Sequence, residues 1–275
     1  MIPAANTLRA VAFDLDDTLL RDDLSISDFT VETLRRLDAR GIRVLPASGR
    51  TQLSMKPFVD ILGCASLYIA CNGAEIWDGK THRLLHQETF SAETGREIAQ
   101  FGKDHACYTQ TYAGDKFFYN EESEWSRRYA AASVLKGICV GDLEEFIREP
   151  RTKILIMNTP EKIAALLSEA RERFGDRISV TCSKPWFLEF NAPGATKGNA
   201  LRRAAEMLGF KAENVLAFGD SLNDLPMLRA AGGSVVVANG REELKSICDA
   251  VCLSNQEDGV ARFLRDVFRE VSVRD

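Results

Sequence analysis

Ala10-Val11-Ala12-Phe13 is an unbroken apolar run that stops at a cluster of carboxylates, Asp14, Asp16 and Asp17. A strand with one wet face alternates apolar and polar residues. A run without alternation suits a strand covered on both faces, as in a parallel sheet. Open α/β sheets bind their ligands outside the carboxyl ends of the strands. The same stretch therefore asks for a layered fold and places Asp14 and Asp16 at the rim of a crevice. Taken alone the cluster also suits a solvated turn, since aspartate is common in turns. Whether other strands end in complementary chemistry decides between the two.

Along the chain the rhythm is consistent. Ser25-Ile26-Ser27-Asp28 supplies capping residues for a helix to about Arg40, and Gly41 is a suitable stop. Residues 42–47 read as a second strand, ending in Ser48-Gly49-Arg50-Thr51. A helix containing Pro57 follows to about Leu62, then a third strand over 67–71 ending in Asn72-Gly73. Strand-helix-strand-helix-strand order predicts a right-handed parallel sheet. The pattern then breaks at a hairpin around Asp78-Gly79. Residues 84–190 read as a separate α+β unit: helices near 92–103, 122–135 and 160–174, and strands near 107–112, 116–119, 153–157, 178–182 and 186–190. Its first hairpin turns at Ala113-Gly114-Asp115. At Asn191 the α/β rhythm returns. Thr196 caps a helix over 197–208, and the buried-type strand Val215-Leu216-Ala217-Phe218 ends in Gly219-Asp220-Ser221-Leu222-Asn223-Asp224. Further strands and a helix over 259–271 close the chain. The expected fold is a Rossmann-like, doubly wound parallel-sheet core (1–83 and 191–275) interrupted by an α+β cap (84–190).

Three strand ends thus carry chemistry, and Lys197 begins the helix feeding the last of them. Carboxylates from two strands meeting at one crevice repel each other unless a cation sits between them, and such oxygen ligands suit Mg²⁺. Ser48 beside Gly49 at a strand-to-helix turn can offer a hydroxyl and backbone N–H groups to phosphate oxygens. Lys197 supplies a positive charge, and its poor match to a helix N-terminus favours a nearby anion. A net charge of −5 argues against broad nucleic-acid or membrane binding. No apolar run reaches the roughly 20 residues that span a bilayer. The first residues lack a signal peptide's regions, and the 7 scattered cysteines fit reduced thiols in a cytoplasmic protein.

The set Asp-Leu-Asp-Asp-Thr-Leu (14–19), Ser-Gly-Arg (48–50), Thr-Lys-Gly (196–198) and Gly-Asp-Ser-Leu-Asn-Asp (219–224), in this order, resembles the haloacid dehalogenase superfamily of phosphotransferases. The insertion between the second and third motifs looks like the C2-type cap of the Cof-type sugar-phosphate phosphatases. Asn-Gly-Ala-Glu-Ile at 72–76 and Glu-Asp-Gly-Val-Ala at 257–261 are also similar to that subgroup. The resemblance implies a Mg²⁺-dependent phosphatase acting on a small phosphate ester, with a sugar phosphate as the expected substrate. Asp14 would be the nucleophile. Asp16 would be the general acid and then base, its backbone carbonyl also on the metal. Asp220 would be a direct metal ligand together with Asp14 and Asp16, and Asn223 and Asp224 would bind or orient the metal and its waters. Ser48, Gly49 and Lys197 would hold phosphate. Position 17 is Asp where that subgroup commonly has Gly. A phosphomutase shares the same motifs, and a non-catalytic sugar-phosphate sensor is the rival from another class. Arg50 stands between a structural pairing with a nearby carboxylate and a substrate contact. Asn72 is read as shaping the turn and is left outside the catalytic set.

Overall fold

The computed structural model describes residues 2–269 apart from 115 and 134, so Asp115 of the expected turn and the end of the last helix lie outside the described residues. The chain divides into two compact units. One comprises residues 1–50, 55–86 and 196–275, the other 51–54 and 87–195. In chain order, β1 (Ala10–Phe13), α1 (Asp28–Ala39), β2 (Arg43–Pro46), α2 (Gln52–Leu62), β3 (Leu67–Ala70), β4 (Glu75–Asp78) and β5 (Leu84–Gln87) come first. The interruption carries α3 (Ala92–Asp104), β6 (Tyr108–Ala113), β7 (Lys116–Tyr119), α4 (Glu124–Ala132), β8 (Lys136–Cys139), α5 (Leu143–Phe146), β9 (Lys153–Met157), α6 (Pro160–Phe174), β10 (Ser179–Thr181) and β11 (Phe187–Asn191). The chain returns with α7 (Lys197–Met207), β12 (Val215–Gly219), α8 (Leu225–Ala230), β13 (Gly233–Val237), α9 (Glu242–Lys245), β14 (Ala250–Cys252) and α10 (Gly259–Arg269).

The core sheet has the order β14-β13-β12-β1-β2, and all its pairings are parallel. Its apolar runs divide by alternation between two hydrophobic clusters. Val11, Phe13, Leu216 and Phe218 pack on one face with Leu34 and Leu37 of α1 and Leu264 of α10. Ala10, Ala12, Val215 and Ala217 pack on the other with Leu201 and Ala204 of α7. With helices on both faces every position of β1 and β12 is buried, which is why no polar alternation is visible in these runs. From β1 the chain moves outward to β2 on one side, and β12 to β14 lie on the other. The order therefore reverses at β1, and the carboxyl ends of β1 and β12 flank the switch point where a crevice forms.

The third strand read from the sequence behaves differently from the first two. β3 meets the β2 region through isolated parallel bridges, Val44 with Ala65 and Ala47 with Ile69, while its ladder runs antiparallel to β4. The Cys71–Gly73 turn folds β4 back onto it, and the reversal after Asp78 brings in β5. Gly79 sits so close to Ala65 that a β-carbon there would lie 2.0 Å from the Ala65 carbonyl oxygen. A three-stranded sheet, β3-β4-β5, results.

The inserted unit is a six-stranded sheet of order β10-β11-β9-β6-β7-β8. Phe101, Ile154, Ile156, Leu188 and Phe190 form a core with Ile163 and Phe174 of α6. Tyr108, Phe117, Leu155 and Met157 form another. Lys153 and Glu189, both buried, form an ion pair within this unit. The edge strand β8 and the short α5 are absent from the sequence reading. Lys136–Cys139 has no buried residue and contains Gly137, whose missing side chain makes room for the Phe117 ring. Among the described residues no helix is long and apolar enough to cross a membrane.

Candidate active site

Asp14 follows β1 in extended conformation (φ −68°, ψ 160°), its N–H bonded to the Phe218 carbonyl of β12 at 3.1 Å. The chain then makes one wide turn, closed by the Leu20 N–H on the Leu15 carbonyl at 2.8 Å. Asp16 remains extended, whereas Asp17 has φ 59° and ψ 3°. That left-handed conformation is available to glycine and, among residues with a β-carbon, most readily to Asn and Asp. Both residue types associated with this position therefore meet one backbone requirement. Asn239 supports the turn by donating to the Asp17 carbonyl at 2.7 Å.

Lys197 is completely buried at the first position of α7, where the helix dipole disfavours a cation. The structure shows what compensates. Its ammonium donates to Asp14 Oδ1 and to Asp224 Oδ1, the latter at 2.6 Å. The other oxygen of Asp224 accepts the N–H groups of Asp220 (3.0 Å) and Ser221 (3.1 Å). Gly219 lies against this carboxylate, and a β-carbon there would stand 2.6 Å from Asp224 Cβ. Asp220 accepts a 3.0 Å hydrogen bond from Thr18. One carboxylate oxygen from each of Asp14, Asp220 and Asp224 lies within 4.8 Å of the others.

Burial dominates the electrostatics. It raises the Asp14 carboxyl well above its usual value; Lys197 pulls it back, while Asp224, Asp220 and Asp16 push it further up. Asp220 is pushed up to about 7, again chiefly by burial and then by Asp224. For Lys197 burial acts downward, but Asp14 and Asp224 outweigh it and hold the ammonium above its ordinary pKa. Three clustered carboxylates thus face a single ammonium. Their donors are all hard oxygens, so the site has the ligand type and the charge deficit that suit a divalent cation.

Asp16 points into a different partnership. Arg50 grips it as a fork, Nε on Oδ2 and Nη2 on Oδ1, both at 2.7 Å, and also stacks over Phe58 at 5.2 Å. Of the two readings of Arg50, the structure displays the carboxylate pairing. Ser48 is buried, and its hydroxyl accepts the Arg50 N–H at 3.1 Å. Gly49 sits beneath the Asn72 amide. Asn223, also buried, receives the Ser221 hydroxyl on Oδ1 at 2.5 Å and donates to Asn72 Oδ1 at 3.1 Å. The structure therefore brings Asp14, Lys197, Asp220 and Asp224 into one cluster and joins Asn223 to it through the 219–224 loop. Thr18 and Asn72 are participants that the sequence reading assigned no part in the site. Thr18 lies inside the first motif, where its hydroxyl was the available signal.

A family model described as haloacid dehalogenase-like hydrolase matches residues 11–264. The 5-amino-6-(5-phospho-D-ribitylamino)uracil phosphatase YcsE of Bacillus subtilis is 29% identical over 264 residues, covering 94% of this chain and 95% of its own. Phosphatase YwpJ of the same organism is 30% identical over 285 residues, covering 94% and 99%. A crystal structure of a haloacid dehalogenase-like hydrolase from Bacteroides thetaiotaomicron superposes with a TM-score of 0.84 at 28% identity, covering 95% of this chain and all of that one.

Proposed function

The chain belongs to the haloacid dehalogenase-like hydrolases, and on that premise we propose that it is a Mg²⁺-dependent phosphatase that hydrolyses small phosphomonoesters, sugar phosphates foremost, through an aspartyl-phosphate on Asp14. The observation that carries this reading is the Asp14 carboxylate, buried at the switch point and held by Lys197 beside Asp220 and Asp224. A phosphoryl group needs a nucleophile and counter-charge at one point, and catalysis of its transfer is mainly positioning and electrostatics.

In the proposed cycle an Asp14 oxygen attacks phosphorus as the ester P–O bond breaks, and Asp16 gives its proton to the departing alcohol oxygen. Water then attacks the aspartyl-phosphate while Asp16 takes a proton from it. The bond between phosphorus and Asp14 breaks, and inorganic phosphate leaves. Lys197 offsets charge on the nucleophile and the phosphoryl oxygens, and Ser48 and Gly49 hold those oxygens. Asp14, Asp220 and the Asp16 carbonyl would hold Mg²⁺, with Asn223 and Asp224 orienting that group. When bound, the metal supplies neutralisation of the clustered carboxylates and of the phosphate. Asp224 suits an orienting part, since Lys197 and two backbone N–H groups fix both of its oxygens. The inserted unit is proposed to select the substrate's non-phosphate part. The name of the Bacillus subtilis relative, a phosphatase of a phosphorylated ribityl compound, supports a polyol or sugar phosphate as the class.

The test is a screen of phosphorylated metabolites with purified protein, scored by release of free phosphate. Exhaustive chelation is expected to remove activity and Mg²⁺ to restore it, with Ca²⁺ a poor substitute because its larger, looser coordination misplaces the phosphate. Full activity after chelation would sink the metal assignment, and conversion of a hexose phosphate to an isomer without phosphate release would identify a mutase. Asp16 is tested separately. Asp16→Asn should slow alkyl phosphates about 10²–10⁴-fold and aryl phosphates much less, because a good leaving group needs little protonation. Equal losses on both would count against the acid role.

A further inference from the structure

Cys71, Asn72 and Gly73 have φ values of 50°, 56° and 106°, three consecutive residues in the left-handed region, two of them carrying a β-carbon. Such a backbone is strained and persists only where its surroundings over-determine it, and these places concentrate at functional sites. The surroundings here are the loops of three motifs. The Cys71 N–H bonds the Arg50 carbonyl at 2.8 Å and the Asn72 N–H the Ser48 carbonyl at 3.0 Å. The Asn72 side chain, 2% exposed, accepts from the Asn223 amide at 3.1 Å. Its amide group lies across Gly49, where a β-carbon would come within 3.0 Å of Asn72 Oδ1. Gly73 is pressed on the residue that caps α7, and a β-carbon on it would stand 2.3 Å from the Thr196 carbonyl oxygen. Gly49 therefore leaves space for the Asn72 amide, and Gly73 lets the turn touch the start of the helix that carries Lys197.

We propose that Asn72 is a positioning residue whose amide, presented by this strained turn, locks Asn223 to the Ser48–Gly49 loop and so keeps the phosphate-holding groups in register. The proposal rests on the phosphatase reading above. A turn that served folding alone would be satisfied by any residue that accepts its backbone angles, and glycine accepts them best. Asn72→Gly therefore separates backbone from amide: it relieves strain while leaving the buried Asn223 nitrogen without its acceptor.

The experiment compares the parent, Asn72→Gly, Asn223→Ala and the double variant, all with Mg²⁺ and p-nitrophenyl phosphate, with inorganic phosphate as competitive inhibitor. For Asn72→Gly the midpoint of thermal unfolding should fall by only a few degrees, because relief of backbone strain offsets part of the cost of the unpaired Asn223 nitrogen. Its kcat/KM should fall about thirtyfold and its Ki for inorganic phosphate rise about tenfold, as expected when a buried polar group loses its partner. The double variant should lose little more than Asn223→Ala, since both remove one link. Activity and Ki of Asn72→Gly within roughly threefold of the parent would overturn the proposal. An activity loss that disappears when the variant is assayed well below its unfolding midpoint would overturn it too, because that is the signature of a turn needed only for folding. A parent without turnover on any phosphate ester would instead overturn the phosphatase reading beneath it.

Discussion

Asp14→Asn is expected to abolish turnover while leaving a folded protein. Asparagine has the shape of aspartate, so the packing at the end of β1 and the bond from the Asp14 N–H to Phe218 survive. What disappears is the oxygen proposed as nucleophile: an amide cannot form the acyl-phosphate of the proposed cycle. The Asp224 carboxylate is committed to Lys197 and two N–H groups, and Asp16, paired with Arg50, is the proposed acid and base rather than a second nucleophile. The loss should be on the order of 10⁴ or more, as for removal of other covalent nucleophiles. Stability should move the other way or not at all. A buried carboxylate whose charged form burial disfavours is a cost to the fold, and its neutral isostere removes that cost while Lys197 retains Asp224. Steady-state rates and thermal unfolding measured together decide the matter. Turnover above about a hundredth of the parent's would reject covalent catalysis at this position.

The parts of this architecture that were legible from the sequence are those written in local patterns. Residues 10–13 and 215–218 announce strands buried on both faces because both of their faces meet helices. Ser27 and Thr196 announce helix starts because capping needs nothing beyond three residues of chain: they accept from the Thr30 and Asn199 N–H groups. Lys197 signalled an anion through its mismatch with the helix dipole, and the structure places two carboxylates on it. Less was legible where the deciding partner is remote. Nothing near Asn72 says that Asn223, 151 positions away, will bond to its amide. Nothing near Asp16 says which arginine will grip it. That β3 ladders with β4 and meets the β2 region only through isolated bridges is a packing fact with no local pattern. Position 17 shows the intermediate case. In the sequence Asp17 stands out only as a departure from the subgroup's usual Gly, whereas its left-handed backbone explains why an Asp or a Gly stands there.

Replacing Lys197 is expected to damage both stability and catalysis, and the two losses should respond differently to divalent cations. Lys197→Met keeps the length and bulk of the buried side chain but deletes the one ammonium among Asp14, Asp220 and Asp224. Breaking a buried ion pair from one side leaves uncompensated charge and costs about 3–5 kcal/mol. For a chain of this size that corresponds to a fall of roughly 10 °C or more in the unfolding midpoint. The carboxylates left behind still offer hard oxygens within 4.8 Å of one another. Added Mg²⁺ should therefore raise the midpoint of the variant by more than it raises that of the parent, because in the parent Lys197 already neutralises part of the cluster. Catalysis should not return with the metal. In the proposed cycle Lys197 also offsets charge on the transferring phosphoryl group, a share expected to be worth about a thousandfold by analogy with other preorganised charge partners. A variant with parent-like stability with and without Mg²⁺ would show that the three carboxylates do not act as one charge cluster. Activity within about tenfold of the parent would remove Lys197 from the phosphate site.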